Sequence, residues 1–263
     1  MGVSFLAEKN FLGSIIRGKQ IADWIGGTYR KNRSNVNIHI KPTKLNDVQD
    51  GDYVDVSDGA WLFNALKKRP KIKVIAHSLR TYEILKELPN EIVWISQQHL
   101  NWERDKRDRK DITTCGYIGH PNELAFKICD EVGEKVKSIG MEWITCFDYK
   151  AREDACAFYK KIDLLVIGAK PEVFDEPPYK TPAKIINAAS FGVPSVAYPT
   201  EGYKEFEGYY VHARDLNEMT QEVQKFKDKT YYNEYSDKIR KKAEEYHISN
   251  VAKKYKNLCK TPQ

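Results

Sequence analysis

Short apolar runs alternate with helix-length amphipathic segments along almost the whole chain, and this alternation narrows the fold more than any other feature. Strand-like runs at 2–7, 35–40, 52–56, 71–76 and 91–96 are separated by helical patterns at 15–25, 60–68 and 81–88. A second set follows: strand-like runs at 113–118, 142–146, 163–167, 195–198 and 209–213, with helical patterns at 123–136, 152–160 and 181–191. Strands joined by crossover helices pair in parallel and carry helices on both faces of the sheet. The run Asp163-Leu164-Leu165-Val166-Ile167 has the composition of a strand buried on both sides. The fold class expected is α/β, with two doubly wound, Rossmann-like domains and a C-terminal helix.

A chain of 263 residues suits two such domains of small size. The boundary falls in Trp102–Asp111, where WERDKRDRKD packs nine charges into ten residues. The expected division is a first domain over 1–110, a second over 111–235, and a segment over 236–263 that packs back on the first. Helical patterns at 216–226 and 235–255 complete the chain.

The net charge of +6 is concentrated at one end: residues 225–263 hold ten Lys and one Arg against five acids. Such a segment suits an anionic surface, either membrane or nucleic acid, or simply a solvated helix face. Five scattered cysteines without a C-x-x-C pair point to reduced thiols, a cytoplasmic setting and no zinc site. The first residues do not read as a secretory leader, and no apolar run approaches the roughly 18–20 residues of a membrane span. Neither a G-x-x-x-x-G-K-[ST] loop nor a strand-following G-x-G-x-x-G is present, so kinase and dinucleotide dehydrogenase readings lack their anchors. Asp50-Gly51-Asp52 is a D-x-D triplet that reads as a turn before an edge-like strand. No metal or cofactor is expected.

The segment KTPAKIINAASFGVPSVAYP, residues 180–199, carries the strongest local signals. Thr181 is suited to cap a helix and Pro182 to its first position. Gly192 and Pro194 end that helix, and Ser195–Tyr198 forms a buried strand. Free N–H groups at the helix start, flanked by Lys180 and Lys184, make a place for a phosphate or diphosphate. A plain crossover helix with surface lysines is the other reading.

This segment resembles the donor-binding segment of the GT-B glycosyltransferases, especially the retaining, family 4-like type. Asn187-Ala188-Ala189-Ser190-Phe191-Gly192-Val193-Pro194 keeps the family's Ala-x-x-Gly-x-Pro core. Asn187 and Tyr179 stand where the family has acids. Gly13-Ser14 with Arg17-Gly18 is similar to the family's N-terminal glycine turn. Residues 158–166 are similar to its helix–Asp–strand stretch, and Gly116-Tyr117-Ile118-Gly119 to the opening of its C-terminal domain.

The resemblance implies a compact, soluble, metal-independent enzyme that moves a sugar from a nucleotide-sugar co-substrate to an acceptor hydroxyl. It assigns donor contacts to Gly13, Arg17, Gly119, His120, Asp148, Lys180, Thr181, Lys184 and Asn187. Lys180 and Lys184 would neutralise the departing diphosphate, and Asn187 would meet the ribose. Asp148 lies where the family encloses the base. Asp58, His77 and His99, at strand ends of the first domain, are the candidates for work on the acceptor; each also reads as an ordinary structural residue. Two further classes fit the same residues: a nucleotide- or sugar-binding protein without catalysis, and a phage-type sugar transferase acting on DNA bases.

Overall fold

The computed structural model describes residues 2–8, 12–30, 32–56, 62–107, 110–120, 123–168 and 181–259, without the side chains of Leu12 and residues 123–126. Asp58 and Lys180, together with Tyr179, lie outside the described residues.

Among those residues two fully parallel sheets form. The first comprises β1 (Val3–Leu6), β2 (Thr28–Tyr29), β3 (Val36–Ile40), β4 (Tyr53–Val56), β5 (Lys73–Ala76) and β6 (Ile92–Trp94), in the spatial order β2-β1-β3-β4-β5-β6. The second comprises β7 (Thr114–Ile118), β8 (Glu142–Cys146), β9 (Leu164–Ile167), β10 (Ser195–Ala197) and β11 (Val211–His212), in the order β11-β10-β9-β7-β8. In both sheets the strand order reverses between the first and third strands. Ligands of open α/β sheets bind outside the carboxyl ends of the strands at such a switch point. In the second sheet that point lies between β7 and β9.

The helices are α1 (Leu12–Ser14), which runs through a π-helical stretch Ile15–Lys19 into α2 (Gln20–Ile25), then α3 (Phe63–Lys67) and α4 (Leu79–Leu85). The second half adds α5 (Glu123–Ser138), α6 (Arg152–Lys161), α7 (Ala183–Ser190), α8 (Leu216–Lys225), α9 (Lys229–Ala243) and α10 (Ile248–Asn257). Every residue of β9 is buried, as its uniform apolar composition requires. No helix among the described residues is long and apolar enough to cross a membrane.

Four local expectations are corrected. A two-residue strand at Thr28–Tyr29 was not anticipated; it pairs with β1 through Ser4 and Phe5. The triplet at 50–52 precedes β4, which is an interior strand between β3 and β5, and not an edge. There Asp52 accepts bonds from Arg33, Asn37, His39 and the Gln49 N–H. The helix expected over 235–255 is broken. A 3-10 turn, Glu244–Tyr246, follows α9, and His247, in extended backbone, starts α10 by accepting the Ser249 N–H through Nδ1. Lastly, α7 starts one residue later than expected: Pro182 occupies the cap position and Thr181 makes no side-chain cap.

The break at residues 244–247 lets the chain cross between domains. Helix α9 packs against α7, whereas α10 packs on the first domain, where Ile248, Val251 and Tyr255 join Phe5, Ile38 and Ile75. Burying each such side chain is worth about 1.5–3 kcal/mol. The linker after β6 is tied to the second domain by polar bonds. The Leu100 N–H donates to Asn187 Oδ1 at 2.9 Å, and Asn101 Nδ2 to the Ser190 carbonyl at 2.9 Å. Arg152 holds Glu103 at 2.8 Å while its guanidinium lies 4.3 Å from the Trp102 ring centroid.

Candidate donor site

The carboxyl end of β7 carries Tyr117, Ile118, Gly119 and His120, and α7 begins beyond the carboxyl end of β9. The two meet at Lys184. Lys184, in the first turn of α7, donates from Nζ to Tyr117 Oη at 2.9 Å and lies 4.5 Å from the centre of the Tyr117 ring. Gly119 permits this: a Cβ there would lie 2.6 Å from Tyr117 Oη. The Gly119 N–H is bonded to the Cys146 carbonyl of β8 at 3.1 Å, which fixes the strand end.

Lys184 is a desolvated cation. Burial pushes its pKa down to about 8, and the nearby Cys129 offsets this only slightly. Among the described residues no carboxylate pairs with it; Tyr117 Oη is its one hydrogen-bond partner. The N–H groups of Ala183, Lys184 and Ile185 open α7, because the first internal bond of the helix runs from the Ile186 N–H to the Pro182 carbonyl. A desolvated ammonium beside a helix start has the chemistry of an oxyanion site.

Gly119 and His120 thus follow β7, and Thr181 and Lys184 flank the start of α7, with Tyr117 bridging the two through Lys184. Thr181 is half-buried and His120 exposed. Asp148 follows β8; it is exposed and faces Lys150 at 3.7 Å. Asn187 lies one turn further along α7 than Lys184, with Oδ1 committed to the linker at Leu100.

The first-domain candidates sit elsewhere. Gly13 lies in α1, and Arg17 in the π-helical stretch turns inward to Asp55 at 2.7 Å. The same Asp55 oxygen accepts from His77 Nε2 at 2.5 Å, and all three side chains are almost fully buried. His77 is thus a core histidine whose Nδ1 faces no partner among the described residues. His99 lies in the linker, stacked edge-on against His247, and burial pushes its pKa down to about 3. Sequence reading named Tyr117 only within the Gly116–Gly119 stretch, without a role at the site, and missed Asp55. A charged residue inside the apolar run Tyr53–Val56 signals a buried partner; nothing local marks Tyr117.

No protein-family model and no curated sequence matches this chain. Solved structures do match. Anabaena Alr3699/HepE, in complex with UDP and glucose, aligns over 100% of both chains at 9% identity with a TM-score of 0.64. A glycosyltransferase from Rickettsia africae aligns over 98% of this chain and 97% of its own at 8% identity, also with a TM-score of 0.64. The fold is that of the GT-B glycosyltransferases. A chain of the GtfA/B complex matches at 12% identity and a TM-score of 0.61 over 85% of this chain, which spans only 57% of that longer one.

Proposed function

We propose that this GT-B protein transfers a sugar from a nucleotide-sugar donor to an acceptor hydroxyl, with the donor diphosphate seated at the start of α7. The observation that carries this reading is Lys184: a desolvated ammonium with no carboxylate partner among the described residues, at a helix N-terminus and a topological switch point. In such a transfer the bond between the sugar and the diphosphate breaks, and the nucleoside diphosphate leaves as an anion. Lys184 and the first N–H groups of α7 supply the stabilising charge directly, so we infer a metal-independent reaction. Tyr117 holds the ammonium in place, and Gly119, His120 and Thr181 border the phosphate path. Lys180 and Asp148 complete the proposed donor contacts, on the diphosphate and the base. The first domain would present the acceptor, with Asp58 as a candidate for work on it; the resemblance of residues 187–194 to the retaining type supports retention.

A binding role without transfer is the second reading. It is favoured by Asn187, whose amide oxygen is occupied by the Leu100 N–H instead of facing the donor. A melting panel of nucleoside diphosphates and nucleotide sugars tests donor binding: at 100 times its Kd a ligand raises stability by about 2.7 kcal/mol. Acceptor-dependent release of nucleoside diphosphate tests transfer. A shift without release supports the binding role, and no shift with any nucleotide defeats both readings.

A further inference from the structure

The two chain crossings between the domains border a pocket of about 260 Å³, which meets α7 at Ser190, the opposite end from Lys184. His99 and Arg104 of the linker line one side; Asp237, Arg240, Lys241 and Glu244 line the other. His99 is only 2% exposed. Its Nδ1 accepts the Asn101 N–H at 3.2 Å, which places the ring proton on Nε2. No other residue among those described accepts that Nε2–H, and His99 lines the pocket.

The charged groups around it point the same way. Glu244 is taken by Arg104, which binds it through Nε and Nη2 at 3.0 and 3.1 Å. Asp237 faces Lys106 at 3.5 Å. Arg240 and Lys241 have no carboxylate partner among the described residues. Arg104 also holds a left-handed backbone, φ 57°, unusual for a side chain that bulky. The open groups in this pocket are donors and cations: an imidazole N–H, a guanidinium and an ammonium. Their complement is rich in acceptors and negatively charged.

We propose that the crossover pocket binds a phosphate-type oxyanion, either free phosphate or the phosphate of a monoester. Arg240 offers a planar fork to two of its oxygens, Lys241 a mobile charge, and His99 Nε2–H a fixed donor from the linker. A ligand so held ties the linker to α9 at the point where the chain crosses between domains.

The test uses the full chain, with inorganic phosphate and glucose 6-phosphate as separate probes. Binding is read by calorimetry and by the imidazole ¹⁵N resonances. The expected result is a saturable shift of the His99 Nε2 resonance. The Arg240→Gln/Lys241→Gln double variant should weaken binding, read at the His99 resonance, about tenfold or more. Tighter binding of the ester identifies a monoester, and equal or weaker binding identifies free phosphate. Should the double variant fail to fold, the exposed single change Lys241→Glu must weaken binding in its place. The proposal is overturned if millimolar phosphate leaves His99 unmoved. It is also overturned if Lys184→Met abolishes the titration while the double variant retains it, because the phosphate then sits at the start of α7.

Discussion

Replacing Lys184 by methionine should make the ligand-free protein more stable and the ligand-bound protein weaker, and this opposition separates a functional cation from a structural one. Burial moves the Lys184 pKa from an ordinary 10.5 down to about 8. A lysine with a lowered folded pKa costs stability wherever it is protonated in both states, and the cost disappears as pH rises through 8 toward 10.5. At pH 7 the full shift corresponds to at most ~3 kcal/mol; the side chain keeps some solvent contact, so ~1 kcal/mol is the better expectation after screening. Lys184→Met removes that cost while keeping an unbranched apolar stem, and should raise Tm by on the order of 2–4 °C. A nucleoside diphosphate loses a charge-assisted bond of about 1.5–3 kcal/mol, so its Kd should rise roughly 10- to 150-fold. In the native protein, affinity should fall about tenfold per pH unit above 8, and Lys184→Met should flatten that dependence. Melting curves and calorimetry across pH 6.5–9.5 supply both readouts. A variant that is destabilised while binding the diphosphate with unchanged Kd would refute the reasoning, because Lys184 would then be holding Tyr117 and nothing else.

Other outcomes follow from single residues. Asp163 accepts the N–H groups of Thr113 and Thr114 and pairs with buried Arg107; Asp163→Ala should cost about 3–5 kcal/mol, read as a drop in urea midpoint, and a loss under ~1 kcal/mol contradicts the account. Gly192 has φ 75° and a Cβ there would lie 2.5 Å from Ser236 Oγ, so Gly192→Ala should separate α7 from α9 and lower Tm; an unchanged Tm would show that Ser236 yields freely. Glu205 touches the first domain through Ser96, and burial pushes its pKa up to about 7. Between pH 4.5 and 7 the unfolded chain has released this proton and the folded one retains it, so stability falls with rising pH by up to ~3 kcal/mol. Glu205→Gln should remove that slope, and a stability difference that is constant across this range would show that Glu205 does not titrate there.

Much of the fold was legible because parallel strands must be apolar throughout, and a run such as Leu164–Ile167 has no other comfortable place. What escaped is instructive in each case. The strand at Thr28–Tyr29 is too short for any periodicity to show. The Lys- and Glu-rich pattern continues smoothly across residues 244–247, so the break there is set by tertiary demand: the chain must leave α7 and reach the first sheet. At the site, the caps and the glycine located the start of α7 to within one residue and thereby singled out Lys184. Its partner Tyr117 lies 67 positions away and only the folded sheet brings it near.

Asn187 and His99 show a different limit. Their types suit a ribose contact and a base, and a helix wheel puts Asn187 on the face of Lys184. Yet one turn of α7 is enough to pass from the strand ends to the linker, so Asn187 meets the Leu100 N–H and His99 lies beside the crossover. The polar residues of α7 thus divide along its length. The first turn faces the proposed donor, and the later turns, through Asn187 and the Ser190 carbonyl, grip the linker. A helix that holds both the leaving group and the domain connection would couple them mechanically, because any shift of α7 on diphosphate binding must be transmitted to Leu100 and Asn101.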